Sequence, residues 1–209
     1  MKLSLFLLLS ALLSVATGYT PRVSRSSFLK TAGVTAASTL ATSVSPKQAS
    51  ATIPTGLAPP FSLPNTRDGT TTTLTSLLST KKWTILYFYP GAFTSGCTLE
   101  ARNFSRDYDE IKKLNAQVVG VSVDSVEKNK SFCESENLAF YMLSDAGGAI
   151  SKAYGSSLSI PGFGTFSNRQ TYLIDPEGRI EYVFTDVESR VARHSGEVIE
   201  KLRELQGKV

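Results

Sequence analysis

The chain is poor in the side chains that build most redox, metal and nucleophilic centres: two cysteines, one histidine, one tryptophan and two methionines in 209 residues. Two cysteines cannot form a disulfide scaffold, and a zinc site made of cysteine alone needs four. The only histidine, His194, would have to serve any Cys–His nucleophile or mixed zinc site. It falls on a late, charged helical segment, where a solvated role is expected. No Cys-x-x-Cys pair is present, which argues against a thioredoxin-type disulfide exchanger. Gly162 and Gly164 read as part of a loop before Arg169. No helix with Lys-Ser/Thr follows them, so they do not make a phosphate-binding loop. The aromatic residues form no stacking stripe on a basic face and read as core. No metal or organic cofactor is expected.

Acidic residues are missing from residues 1–51, which hold five basic ones (Lys2, Arg22, Arg25, Lys30 and Lys47). The formal charge of +4 therefore belongs to this leader: the other 158 residues carry 17 basic against 18 acidic side chains. The body has no electrostatic reason to seek nucleic acid. Within the leader, Met1-Lys2 precedes an apolar run from Leu3 to Ala16, too short to span a membrane, and then the small residues Thr17 and Gly18. That pattern predicts a signal peptide over 1–18. Residues 19–51, rich in Ser, Thr and Ala, have the composition of a transit peptide. A signal peptide followed by a transit segment resembles the bipartite leaders of algal plastids. Ser24-Arg25-Ser26-Ser27-Phe28-Leu29-Lys30 resembles a twin-arginine motif with Ser26 in place of the second arginine, and Ala49-Ser50-Ala51 offers a cleavage site. The expected destination is the plastid, with stroma and thylakoid lumen both open. Residues 52–209 are expected to form one domain, without stable membrane insertion.

In that domain, Thr52 to Pro64 reads as an extended arm, since Pro54, Pro59, Pro60 and Pro64 exclude helix. A short strand over 70–74 and a helical turn over 75–80 follow. The continuous apolar run Trp83 to Tyr89 predicts a strand buried on both faces. Apolar residues at Cys97, Ala101, Phe104, Tyr108, Ile111 and Leu114 mark one stripe of a single amphipathic helix over 97–114. Strand 117–123 completes a strand–helix–strand crossover. Asp124-Ser125-Val126-Glu127 starts a helix carrying Cys133 and ending near Asn137, and another helix is read around 149–154. Residues 169–174 and 179–184 form a hairpin about the Asp175-Pro176-Glu177-Gly178 turn, and a helix over 189–205 closes the domain. The expected fold is an α/β sandwich with a central mixed sheet and flanking helices. The sequons at Asn103 and Asn129 fall in predicted helices and read as incidental.

The central strand runs directly into Pro90-Gly91-Ala92-Phe93-Thr94-Ser95-Gly96-Cys97. Ligands in α/β folds sit beyond the carboxyl ends of such strands. Cys97 is there placed at a helix N-terminus, whose unpaired N–H groups favour a thiolate. Thr94 can set a hydroxyl beside the sulfur, while Pro90 and Gly91 shape the loop.

These residues carry a resemblance. Pro90, Thr94 and Cys97 stand in the PxxxTxxC pattern of peroxiredoxins, and the match continues through Leu143-Ser144-Asp145 and Arg169 with Thr171 to Gly178. Gly56 to Phe61 resembles the family's N-terminal arm. Over about residues 55–205 the chain is similar to the peroxiredoxin Q, or bacterioferritin comigratory protein, subfamily. The loop Gly91-Ala92-Phe93 instead matches that of type II members. The resemblance implies a thioredoxin-like fold and a thiol peroxidase acting on hydrogen peroxide and organic hydroperoxides. It makes Cys97 the peroxidatic cysteine, has Thr94 and Arg169 hydrogen-bond the peroxide oxygens, and has Pro90 shield the pocket. Glu100 matches a family position but reads as a helix-terminal charge. Many subfamily members keep a resolving cysteine where this chain has Arg102, so Cys133 is the implied resolving thiol. Its acidic neighbours Glu134 and Glu136 disfavour a thiolate there. Cys97 sulfenic acid would condense with Cys133 to an intramolecular disulfide, with local unwinding, and thioredoxin or a similar dithiol would reduce it. A monomer or weak dimer is expected. A one-cysteine peroxidase with an external thiol, and a redox-inert binding or chaperone module with a static bridge, are the alternatives.

Overall fold

The computed structural model describes residues 56–207, so the leader and its expected signals lie outside the described residues. Ten strands and six α-helices follow in chain order. The proline-rich arm is extended, giving β1 (Gly56–Leu57) and β2 (Ser62–Pro64), and β3 (Thr71–Thr73) pairs with β2. Thr73 caps α1 (Leu74–Leu78) by accepting from Ser76 N–H, while the Ser76 hydroxyl accepts from Thr73 N–H. Next come β4 (Trp83–Phe88), α2 (Ser95–Arg106), α3 (Tyr108–Lys113), β5 (Ala116–Ser122) and α4 (Val126–Ser135). They are followed by β6 (Tyr141–Ser144), α5 (Ala149–Ala153), β7 (Ser157–Ile160) and β8 (Gly164–Ser167). The domain ends with β9 (Gln170–Ile174), β10 (Arg179–Phe184), a 3₁₀ turn over Glu188–Arg193 and α6 (His194–Gln206).

Six strands form one mixed sheet in the order β1-β10-β9-β4-β5-β6. β4, β5 and β6 run parallel, as the strand–helix–strand reading requires, while β9 is antiparallel to β4 and β10 to β9. Alternation along β4 divides the core in two. Ile85, Tyr87 and Tyr89 face a cluster with Cys97, Phe104, Phe132, Val198 and Leu202, whereas Leu86 and Phe88 face Leu74, Leu77, Tyr154 and Tyr172. The sheet is covered on both faces, which is why the Trp83–Tyr89 run lacks polar alternation.

Several expectations need correction. The stripe over 97–114 is real, but the helix breaks at Asp107 (φ −92°, ψ 7°). Its carboxylate accepts from Arg106 and from the Ser195 hydroxyl, which ties the break to the start of α6. Phe104 and Ile111 are nevertheless both buried, so the pattern stays in phase across the break. The closing helix is a 3₁₀ turn followed by α6, which begins only at His194. Gly162 (φ +81°) and Gly164 (φ +105°), expected in a loop before Arg169, supply left-handed backbone at the tip of the β7–β8 hairpin, with Gly162 in its turn and Gly164 opening β8. The sequon asparagines Asn103 and Asn129 are buried in α2 and α4, as the incidental reading requires.

Gly120 on β5 shows how tightly the upper core is set. A Cβ there would meet Met142 Sδ at 2.2 Å and the Tyr87 ring at 2.9 Å. Its absence makes room for the Tyr87 ring, which packs on Phe104 with centroids 5.0 Å apart. Alanine normally stabilises a strand relative to glycine, but the collision should decide here. Gly120→Ala is expected to destabilise the domain by about 1–3 kcal/mol, read from urea unfolding midpoints.

Candidate active site

β4 hands the chain to the site through Tyr89, whose N–H donates to Val121 O at 3.0 Å. Pro90 follows, half-buried at the strand end. The turn after it is tied to the start of α4: Ala92 N–H donates to Asp124 Oδ2 at 2.7 Å, and Lys128 Nζ holds Asp124 Oδ1 at 2.5 Å. Phe93 sits at φ +68°, a left-handed conformation that costs a bulky residue energy, and its half-exposed ring packs edge-on against Phe132. Thr94 is the N-cap residue of α2. Its hydroxyl donates to Gly91 O at 3.2 Å. Its lone pairs stay open to an incoming donor.

Cys97 stands in the first turn of α2 with 1% of its surface exposed. Arg169, at the entry to β9 and 3% exposed, donates from Nη2 to Cys97 Sγ at 3.3 Å. The same guanidinium donates from Nη1 to Glu100 Oε2 at 2.6 Å and from Nε to Glu188 Oε2 at 2.7 Å. Arg169 is therefore a buried cation with two carboxylate partners. Gly96 permits the approach: a Cβ there would lie 3.1 Å from Arg169 Nη2.

Glu100 was read as a helix-terminal charge, but it is 1% exposed and forms a buried ion pair. Burial pushes its carboxyl up to about 7, against the pull of Arg169. Its spacing of three from Cys97 put both on one helical face, a signal present in the sequence. His194 is likewise corrected from solvated to buried. Its Nε2 lies 2.8 Å from Thr171 Oγ1 and 3.9 Å from Glu100 Oε1. Burial, with Arg190 and Arg169 nearby, pushes its pKa down to about 3, so the ring is neutral at physiological pH. Buried Val191, Val198 and Leu202 place it on an apolar stripe that the charged neighbours obscured.

Cys133 is in the last turns of α4, half-buried, and packs against the same cluster that holds Cys97. Both are free thiols. Thr66 Oγ1 accepts from Met142 N–H at 3.0 Å, which leaves its hydroxyl hydrogen for Cys133 Sγ at 3.5 Å. Burial is the main cause that pushes the Cys133 thiol up; Glu134 adds less, and Glu136 is paired with Arg102. Among the described residues no three His, Cys, Asp or Glu side chains cluster as metal ligands would.

A cysteine at a helix start, beyond a central strand of a mixed sheet and touched by a buried arginine, makes a thiol site on an α/β sandwich. The AhpC/TSA family model matches residues 54–183. Peroxiredoxin Bcp of Escherichia coli is 37% identical over 152 residues, spanning 71% of this chain and 94% of its own. The chloroplastic peroxiredoxin Q of Triticum aestivum is 34% identical over 150 residues, 72% of this chain and 67% of its own. The solved structure of peroxidoxin BcpB from Mycobacterium tuberculosis superposes with a TM-score of 0.68 at 32% identity, covering 73% of this chain and 98% of its own. The chain belongs to the AhpC/TSA family, in its peroxiredoxin Q/Bcp branch, and is a thiol-dependent peroxidase.

The neutral, buried His194 has a pH signature. Its folded pKa lies below the usual 6.5, so between pH 6.5 and 3 the unfolded chain binds more protons, and stability falls as pH falls. His194→Gln cannot titrate, whereas Glu100 contributes to both proteins alike. From pH 6.5 to 5 the native chain should lose about 2 kcal/mol more than the variant, measured by urea unfolding at each pH.

Proposed function

We propose that Cys97 is the peroxidatic cysteine and Cys133 its resolving partner. The observation that carries this reading is the 3.3 Å contact of Arg169 Nη2 with a buried sulfur at the start of α2. The Cys97 thiolate attacks one oxygen of a hydroperoxide, the O–O bond breaks, and the departing oxygen takes a proton to leave as water or an alcohol. Arg169 supplies fixed positive charge to the sulfur and the breaking bond. Thr94 receives a peroxide O–H on its free lone pairs, and Pro90 closes one side without adding a competing N–H.

In the second half-reaction the Cys133 thiol condenses with Cys97 sulfenic acid, releasing water and forming an intramolecular disulfide. Thioredoxin or a related dithiol then returns both thiols. Both sulfurs start within helices, Cys97 buried in α2 and Cys133 in α4, so this step requires local unwinding at one of them. The catalytic unit is a monomer or weak dimer. Residues 1–18 act as a signal peptide and 19–51 as a transit segment to the plastid; a lumenal address nested in 24–51 is the second reading. The chloroplastic designation of plant relatives supports the plastid.

Intact mass of the reduced protein after one equivalent of hydrogen peroxide tests the cycle. Loss of about two mass units, with Cys97 and Cys133 joined in a peptide map, is expected. A gain of about 16 units on Cys97 alone would make this a one-cysteine enzyme, and two persistently unmodified thiols would remove the peroxidase role. Arg169→Lys cannot reach three partners with one ammonium. It should fold and react with peroxide about 30–100-fold more slowly, as measured by competition kinetics.

A further inference from the structure

Two buried polar atoms next to the site lack partners. Glu100 Oε2 is bonded to Arg169, but Glu100 Oε1 has no hydrogen bond, and His194 Nδ1 has none either. Buried carboxylate oxygens left unpaired are costly. The imidazole of His194 presents Nε2 to this region, 2.8 Å from Thr171 Oγ1 and 3.9 Å from Glu100 Oε1. The fold brings these groups together by simple periodicity. Cys97 and Glu100 are one turn apart on α2, Arg169 immediately precedes β9, Thr171 lies within it, and His194 opens α6.

The tautomer follows from the unpartnered nitrogen. A proton on Nδ1 would leave a buried N–H without an acceptor, which is rarer and dearer than an unused lone pair. The proton therefore sits on Nε2, 2.8 Å from the Thr171 hydroxyl oxygen and 3.9 Å from Glu100 Oε1. We propose that His194 is a positioning residue for Arg169: the Nε2–H dipole, too far from Glu100 Oε1 for a hydrogen bond but close enough to act on its charge, favours the anionic carboxylate that aims the guanidinium at Cys97. This rests on the reading of Cys97 and Arg169 given above.

The charged groups around the pair are consistent with it. Glu100 faces Arg169, with Glu188 beyond; His194 faces Arg190, Arg169 and Glu100, and the edges of Phe104 and Phe184 enclose its ring. Burial, with the two arginines adding to it, keeps the imidazole neutral, and a neutral imidazole still carries an N–H dipole. Burial and Arg169 balance Glu100 near neutrality, so an N–H dipole 3.9 Å from its second oxygen shifts how much of it is ionised. Without that dipole the carboxyl protonates more readily, and Arg169 loses its buried anion.

The test is the pH dependence of Cys97 oxidation by hydrogen peroxide, between pH 5.5 and 9, for the native chain, His194→Phe and His194→Gln. His194→Phe should displace the acid limb upward by about one unit, about tenfold slower at pH 7, and converge with the native rate by pH 9. The amide nitrogen of His194→Gln takes the place of Nε2 and should restore the native profile. A role confined to packing would lower the melting temperature of His194→Phe and leave the limb unmoved, which overturns the proposal.

A measurement on the native chain covers the case in which His194→Phe fails to fold. With one histidine in the sequence, long-range ¹H–¹⁵N correlation spectra report on this ring alone. They should show an Nε2–H tautomer whose nitrogen shifts follow a titration near neutral pH; an Nδ1–H tautomer, or shifts flat from pH 5 to 8, overturns the proposal. Failure of native Cys97 to react with peroxide at all would refute the underlying assignment instead, and the spectra would be unaffected.

Discussion

The site depends on one buried guanidinium. Arg169 reaches the sulfur of Cys97, the carboxylate of Glu100 and the carboxylate of Glu188 with three different nitrogens. A permanent cation in a nearly closed interior is tolerable only with an anion against it. Glu100 supplies that anion from within the core, while Glu188 is largely exposed and screened by water. Much of the surrounding structure can be read as a consequence. α2 begins close to β9, position 96 leaves little room for a side chain beside the guanidinium, and the turn from β4 into α2 delivers Cys97 at the first helical turn.

The fold was legible in the sequence where periodicity was long and unbroken. The Trp83–Phe88 strand, the parallel β4–β5 pair and the Asp175–Gly178 turn all follow from apolar runs and turn chemistry. What escaped was decided by single side chains. Asp107 breaks a helix without resetting its phase, and the β7–β8 hairpin is too exposed to leave an apolar signature. In the site, Cys97 was visible from its strand–loop–helix setting, because that setting is local. Arg169 was not, since its importance comes from a partner 72 residues away; only the resemblance pointed to it. Glu100 and His194 were misread for a shared reason. Charged residues are presumed solvated unless their partners are known, and their partners here come from other elements.

The resolving role proposed for Cys133 meets constraints at both ends of α4. Arg102, on α2, pairs with Glu136 at the end of α4. α4 is also held at its start, where Asp124 binds Ala92 N–H, and along its length, where Phe132 meets the Phe93 ring. The helix carrying the second thiol is therefore fastened to the loop and helix carrying the first. Any motion that joins the two sulfurs has to release an ion pair, a loop hydrogen bond or a ring contact, and those fastenings favour the arrangement with both thiols apart.

The site is also assembled in a fixed order along the chain. Cys97 comes early in the described domain, its arginine 72 residues later, and His194 opens the last helix described. A chain still emerging from a ribosome presents the sulfur before the guanidinium that touches it in the fold. Until β9 and α6 dock, Cys97 is a cysteine without its arginine. On the role proposed for Cys97, peroxide reactivity is therefore a property of the completed fold and not of the nascent chain.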